Sequence, residues 1–378
     1  MINYITLLLY IIINSLFVEK YASRVVSFHW WLVIAYVVGV LCVVYVISHR
    51  VSKSRYTFVY LVSILITMAC VALGLQYTID PLTLNVDRWS AIHNFLSGML
   101  DGQYPYGQQT HLGGYGSPFP VWQIVHLPFY CLGNVGLSII VVTLLFLWTL
   151  NRLYSAKVAL VAGALLLISP AFWYEVAVRS DLLTNIMLSA IIVEWLVSKK
   201  IQLTNNFVWI GVLIGAMLST RLVAIIPICV IYGYEFLLMN WKKQCLFIVI
   251  AIAVFCATML PFLLWEGSTL LFFEYNPFVL QTRQGSWLVL LIFACLAVGV
   301  TIWQRGQLNQ RLATTGLLLT TLVTMAFVEK MWQHNQWTEL FSSTFDITYL
   351  SVALPFYVTY LAIMLTKDNK FVTSVSNS

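Results

Sequence analysis

Charge is what this sequence has least of. Only 9% of its 378 residues are Asp, Glu, Lys or Arg, against 61% hydrophobic residues and a mean hydropathy of +0.87. Soluble domains carry about 25% charged residues, so the shortage excludes a water-soluble fold. Short alternating segments, the signature of a membrane β-barrel, are missing too. The apolar runs are continuous, and lipid-exposed backbone must bond to itself, so helices are expected. No CxxC pair occurs. Cys42, Cys70, Cys229, Cys245, Cys256 and Cys295 lie inside apolar runs and Cys131 lies near one, which reads as small core residues rather than a disulfide or metal framework. His93, His111 and His126 lack ligand spacing with carboxylates, so no dedicated zinc site is expected. The first apolar stretch, 5–17, has no basic n-region and no A-x-A site, and reads as a first span rather than a cleaved signal. No soluble domain, low-complexity linker or fixed-period repeat interrupts the chain. Residues 1–378 therefore read as one polytopic transmembrane domain.

A crossing helix needs about 20 apolar residues. Apolar runs near 2–18, 28–48, 56–77, 134–151, 157–172, 181–198, 206–219, 222–239, 244–265, 287–303, 312–328 and 345–365 suit an all-α integral membrane protein with about 12 (10–13) transmembrane helices. The run 207–239 reads as one broken helix or a tight hairpin. Thirteen of the 20 basic residues fall in one set of alternate short loops: Arg50, Lys53, Arg55, Arg152, Lys157, Lys199, Lys200, Lys242, Lys243, Arg305, Arg311, Lys367 and Lys370. Basic loops stay cytoplasmic, so both termini are expected inside a plasma-membrane protein. Seven basic residues fall elsewhere, among them Arg88, Arg179, Arg221 and Arg283. Asp80, Asp87, Asp101, Glu175, Asp181, Glu266, Glu274, Glu329, Glu339 and Asp346 all fall on or near the opposite, outer face.

One long polar stretch remains between two apolar blocks. Residues 78–121 form an outer loop with short amphipathic helical segments, carrying Asp80, Asp87, Arg88, His93, Asp101 and His111. Charges at span edges cost roughly 2.5–3.5 kcal/mol each, so they usually have partners or purposes. Arginines at the outer ends of several spans suit a lipid-linked phosphate, because guanidinium grips phosphate oxygens bidentately and stays charged. A carboxylate beside them could act as a general base. Plainer readings stand beside these. Asp87 could cap the amphipathic stretch after it. Asp80-Pro81 and Asp101-Gly102 read as turns. Arg179 and Asp181 could pair with each other, and Arg221 could snorkel to the interface. Glu194 and Glu235 read as structural. Trp122, Trp173, Trp265, Trp332 and Trp337 read mostly as an interfacial belt.

The loop resembles the signature loop of the GT-C superfamily of membrane glycosyltransferases, and most of all its bacterial polyprenyl-phosphate mannosyltransferase branch. The residues that carry the likeness are Asp87-Arg88-Trp89, a helix through Leu100, then Gly102-Gln103-Tyr104-Pro105-Tyr106. Ser117-Pro118-Phe119-Pro120 and Leu127-Pro128-Phe129 resemble the re-entry segment. Ser219-Thr220-Arg221 and Asn276-Pro277-Phe278, with Gln281, resemble later elements. The resemblance implies a GT-C-like fold and an inverting sugar transfer from a polyprenyl-phosphate donor to an envelope glycan or lipid-linked acceptor on the extracytoplasmic face. It implies Asp87 as base, with Asp80 in reserve, and Arg221 and Arg283 on the donor phosphate. Asp181, Arg179, Arg88, His93, Tyr106 and Gln281 become candidates for holding the acceptor or substrate. Asp87 has no adjacent second carboxylate, unlike the paired acids of some relatives, so metal independence and no cofactor are expected. So are contacts with membrane lipids, and no nucleic acid partner. The rival readings are a transporter or flippase of lipid-linked sugars, a polymerase or ligase of lipid-linked oligosaccharides, and a scaffold subunit. Transport would need polar mid-membrane residues and a repeat between halves, yet 56–77 and 244–265 are apolar throughout.

Overall fold

A computed structural model describes residues 2–50, 56–283, 285–303, 308–337 and 345–366. Lys53, Arg55, Arg305, Glu339, Lys367 and Lys370, used in the charge argument, lie outside the described residues, as does the side chain of Arg50. Among the described residues the backbone is helical apart from turns, extended links and one isolated antiparallel bridge, Gln109 to Tyr115.

Three long apolar helices lead: α1 (Ile2–Ala22), α2 (His29–Arg50) and α3 (Thr57–Thr78). A polar segment then carries α4 (Arg88–Leu100), α5 (Pro120–Val125) and α6 (Leu127–Cys131). The central group is α7 (Leu137–Leu153), α8 (Ala156–Leu167), α9 (Pro170–Ala177) and α10 (Asp181–Ser198). Then come α11 (Leu203–Leu218), α12 (Ile226–Leu238) and α13 (Trp241–Leu263). Last are α14 (Pro277–Thr282), α15 (Trp287–Trp303), α16 (Leu308–His334) and α17 (Leu354–Thr366). Among the described residues seven helices are long and apolar enough to cross a membrane, and the α8–α9 pair makes an eighth if its 72° bend is one broken span. Four more apolar helices are shorter. The polar segment runs on to Gly136, past the expected end of the loop.

The bend between α8 and α9 has a local cause. Pro170 cannot donate a backbone bond, and Ser169 caps the new helix by accepting from Phe172 N. The freed polar groups find partners on α1. Tyr10 donates to the Leu165 carbonyl at 2.6 Å, and Asn14 Oδ1 accepts from Ser169 Oγ at 2.6 Å and Ala171 N at 3.2 Å. Irregular backbone away from water is tolerated only where protein satisfies it in this way. The run 207–239 divides at Ser219–Arg221 into two helices, and α11 and α12 pack on each other through Ile210, Ile214, Ile228 and Ile231, as the hairpin alternative has it.

The main core gathers α1, α7, α8, α10 and α17, with Phe17, Phe146, Leu165, Ile186 and Phe356 fully or almost fully buried. By contrast α2, α3 and α13 turn long apolar faces outward, including Trp30, Val38, Phe58, Ile66, Val249 and Leu260. Exposed apolar surface of that extent fits lipid contact. A separate cluster of Ile92, Phe95, Leu96, Tyr106, Phe119 and Trp122 packs α4 and the re-entry segment onto Met259 and Phe262 of α13. Trp122 is therefore a core residue, buried to 0% exposure, and not part of an interfacial belt.

Candidate functional site

Asp87 stands at the N-cap position of α4, yet its side chain makes no capping bond. Its backbone lies at φ −104°, ψ 7°, away from the extended conformation that aims an N-cap side chain at the helix amides. The capping explanation for this carboxylate thus fails. Oδ2 instead accepts a 2.8 Å hydrogen bond from the Thr110 hydroxyl. Thr110 belongs to a tight turn. Its amide donates to the Gly114 carbonyl at 2.8 Å, and its hydroxyl accepts from Gly114 N at 3.0 Å. Gly113 adopts φ +80° there, a conformation that glycine takes at little cost. Neither Thr110 nor Gly114 was singled out from the sequence.

Gly114 has a sharper role than turn-making. A Cβ at this position would lie 2.8 Å from Asp87 Oδ2 and 3.3 Å from Thr110 Oγ1. The nearest atom is the end of a flexible side chain, so the fold can yield while the carboxylate moves. Gly114→Ala is expected to keep protein level and melting temperature while displacing the Asp87 carboxylate from Thr110, and any chemistry that used this carboxylate would then slow about tenfold to a hundredfold. An unmoved Asp87–Thr110 bond in a structure of Gly114→Ala would show that the carboxylate needs no such placement.

Asp87 lines a cavity of about 870 Å³ at one end of the bundle. Seven basic residues lie outside the thirteen that mark one set of loops: Lys20, Arg24, Arg88, Arg179, Arg221, Arg283 and Lys330. All but Arg179 line this cavity. Among the described residues, two carboxylates, Asp87 and Asp346, line it with them. Lys20, Arg24 and Lys330 were not anticipated as site residues.

Two of the arginines are held by carboxylates. Arg88 donates to Asp346 Oδ2 at 2.6 Å, Thr348 Oγ1 at 2.6 Å and Ser180 Oγ at 3.0 Å, with Glu175 at 3.9 Å. Burial disfavours its charge, but Asp346, Glu175 and Asp181 more than offset this and its pKa is raised. Arg88 thus straps the start of α4, and its neighbour Asp87, to α10 and the 3-10 turn Ile347–Ala353. It is an anchor at the cavity wall.

Arg221 is gripped by Asp181. Its Nε and Nη2 both donate to Asp181 Oδ2, at 2.9 and 2.6 Å, and Trp122 Nε1 adds a third bond to that oxygen at 2.8 Å. Nη1 turns the other way, to Ser117 Oγ at 3.3 Å on the cavity wall. Asp181 itself is 2% exposed and does not line the cavity. The acceptor-holding role expected for it gives way to orienting Arg221, and neither local pairing with Arg179 nor snorkelling of Arg221 is seen. Burial holds the His126 imidazole below its usual pKa. Its Nδ1 faces the Trp122 carbonyl at 2.9 Å, which can only accept, so Nδ1 carries the proton of the neutral ring.

The break before Arg221 is closed by the re-entry segment. Phe119 N donates to the Thr220 carbonyl and Trp122 N to the Ser219 carbonyl, so the amides opening α5 meet the carbonyls ending α11. Gln281 ties the same junction. Its Nε2 donates to the Ser117 carbonyl at 2.6 Å and its Oε1 accepts from Leu222 N at 2.8 Å. Gln281 is a brace between backbones, with both ends of its amide engaged. Arg283 is exposed at the cavity edge, with no ion pair among the described residues.

Other expected site residues lie elsewhere. Tyr106 is 2% exposed in the α4–α13 cluster and donates to the Pro118 carbonyl, so it is a packing residue. His93 packs edge-on to Trp89 and tilted against Tyr130, and does not line the cavity. His111 is pinned between Ser90 and the Leu84 carbonyl. Asp80 caps the turn Pro81–Thr83 through Leu82 N, and Gly102 takes φ +72° after Asp101, so both turn readings hold. Glu194 accepts from Tyr154 and Glu235 from Leu203 N, as structural groups do.

Arg179 is the clearest correction. It occupies the left-handed position (φ 54°) of a Schellman turn after α9, with Ser180 N on the Glu175 carbonyl and its own amide on Val176. That turn throws its side chain back to the end of α3, where Nη2 donates to the carbonyls of Gln76 and Ile79. Gly136 leaves the room it needs, since a Cβ there would sit 2.7 Å from Arg179 Cγ. Arg179→Ala is expected to cost about 1–2 kcal/mol of stability through the lost cap, read as a lower melting temperature. An unmoved melting temperature would show that the bonds to Gln76 and Ile79 carry no stability.

A narrower apolar groove of about 140 Å³ adjoins the cavity at Arg221, Leu182, Leu280 and Tyr349, and runs between Val223, Val289, Leu322 and Phe327. No protein-family model matches the chain, and neither a curated protein nor a solved structure matches it.

Proposed function

We propose that this chain is an inverting membrane glycosyltransferase that moves a sugar from a polyprenyl-phosphate donor to a hydroxyl acceptor, with Asp87 as general base. The observation that carries the reading is Asp87 itself. It sits at a helix start that it does not cap, is fixed by Thr110, and lines a cavity that six cationic side chains also line. The resemblance of the loop to GT-C enzymes supplies the reaction class.

In this reading Arg221 Nη1 and Arg283 receive the donor phosphate, and the adjoining apolar groove receives the start of the polyprenyl chain. The acceptor oxygen attacks the anomeric carbon from the side opposite the phosphate. Its proton passes to Asp87. The new C–O bond forms as the bond to the phosphate oxygen breaks, and that oxygen leaves with the electron pair as polyprenyl phosphate. Asp181 keeps Arg221 aimed at the phosphate and touches no reactant. The step is drawn without a metal ion, because Asp346, the other carboxylate in the cavity, is engaged by Arg88.

The seven long helices, the bent pair and the four shorter apolar helices serve here as twelve crossings. Every second junction then delivers a residue to the cavity: Arg24 after α1, Asp87 after α3, Val178 after α9, Arg221 after α11, Arg283 after α13 and Asp346 before α17. In this reading that end faces outside the cell, which the bias of basic residues toward the other loops supports. The test offers polyprenyl-phosphate mannose, glucose and galactose, with glycoside acceptors, to the purified full chain in lipid nanodiscs. A covalent product of inverted anomeric configuration is expected. Substrate movement across vesicles with no covalent product would favour a flippase instead.

A further inference from the structure

The cavity has an aromatic side as well as a cationic one. Tyr115 and Tyr275 both line it. Their rings are nearly parallel, 10° apart with centroids 6.1 Å apart, and Phe273 meets Tyr115 edge-on at 4.5 Å. Tyr115 directly follows Gly114, the residue whose Cα faces Asp87 Oδ2. Its hydroxyl accepts from Gln109 Nε2 at 3.0 Å within the turn, which fixes the ring. Tyr275 is 47% exposed and stands just before Asn276 and α14, the short helix that leads to Arg283. The two parallel tyrosine faces leave apolar area on the cavity lining. They offer a flat apolar surface with polar rims, the form that a pyranose ring presents on its C–H face.

We propose that Tyr115 and Tyr275 form the acceptor subsite, and that the acceptor is a pyranoside stacked on these rings with one hydroxyl toward Asp87. This rests on the glycosyltransferase reading and narrows it. It selects a sugar over a simple lipid alcohol or a serine or threonine side chain, because neither of those has a flat face to stack. The cationic wall at Arg221 and Arg283 is left to the donor. The turn that carries Tyr115 also carries Thr110 and Gly114, so one short segment would seat the acceptor and place the base.

The experiment measures initial rates of the full chain in nanodiscs with polyprenyl-phosphate hexoses as donors and octyl pyranosides, octanol and a serine-containing peptide as acceptors. Transfer to the pyranosides alone is expected. Tyr115→Ala and Tyr275→Ala should each raise the pyranoside KM about tenfold, with donor KM and melting temperature held. Tyr275→Phe and Tyr275→Trp should restore the parent value, which a hydrogen-bonding or merely structural role would not produce. An unmoved pyranoside KM in both alanine variants, or equal use of octanol, would overturn the subsite and leave the enzyme reading standing. No transfer from any donor would overturn both.

Discussion

Asp87→Asn is expected to lower transfer by about 10²- to 10⁴-fold, the contribution of a positioned general base, with protein level and melting temperature unchanged. The structural side of that expectation is unusually clean. The carboxylate makes no bond to the amides of α4, so the helix loses no cap. Its bond is the one from Thr110, and asparagine's carbonyl oxygen can accept it in the same place. What asparagine cannot do is take a proton. Asp80→Asn is the control within the same loop. Asp80 is exposed, caps the turn Pro81–Thr83 and does not line the cavity, so its loss should leave transfer within about twofold of the parent. Initial rates at saturating donor, with both variants quantified in the same membranes, decide the matter. Full transfer by Asp87→Asn would falsify the assignment of the base, and a collapse in Asp80→Asn alone would move that role to Asp80.

The helices were legible because they are long apolar runs, and composition alone forbids any other home for them. Their ends were less so. The break at Ser169-Pro170 was hidden inside the run 157–172, because the groups that make it tolerable, Tyr10 and Asn14, come from the other end of the sequence. The last run was read as one span from 345. In fact Asp346 caps a 3-10 turn over Ile347–Ala353 first, and that tighter turn brings Asp346 and Thr348 to Arg88.

The site was half legible for one physical reason. A cation outside the set of loops that gathers most of the basic residues needs an explanation, and six of the seven such residues line the cavity. That signal identified Arg88, Arg221 and Arg283, and it also covered Lys20, Arg24 and Lys330, which were passed over at the ends of apolar helices. Pairing was not legible. Arg179 and Asp181 are two apart in sequence, yet the left-handed turn at Arg179 sends its side chain back to the end of α3, while Asp181 meets Arg221. Asp181 and Arg221 are 40 apart and share one oxygen. Thr110 and Gly114 carried no pattern of their own, since a turn that cradles a distant carboxylate looks like any other turn. Tyr106 shows the reverse error: the motif made it conspicuous, and the reason lies in packing against Phe95 and Phe262.

Arg221→Ala should be the most damaging single change to folding. It strips three-bonded Oδ2 of Asp181 down to Trp122 alone, in a residue 2% exposed whose Oδ1 already has no hydrogen-bond partner among the described residues. Breaking a buried pair by removing one partner costs about 3–5 kcal/mol, whereas replacing both partners with apolar residues of similar volume is often neutral. The double change Arg221→Met with Asp181→Leu should therefore recover part of the melting temperature that Arg221→Ala loses, the remainder being the cost of about 1–3 kcal/mol of leaving the buried Trp122 Nε1 without its acceptor. It should not recover function, because Nη1 toward Ser117 is the atom left for the donor phosphate. The folded double variant is expected to show a donor KM raised at least tenfold, with the pyranoside KM little changed. Arg221→Lys separates charge from shape. One ammonium cannot bond Asp181 twice and still face Ser117, so it should lose part of both stability and donor affinity. Melting in nanodiscs reads the first effect and donor titration the second. If Arg221→Ala melts with the parent, the pair carries no fold. If the double variant binds donor as the parent does, the phosphate sits elsewhere, and Arg283 with Lys330 becomes the place to look.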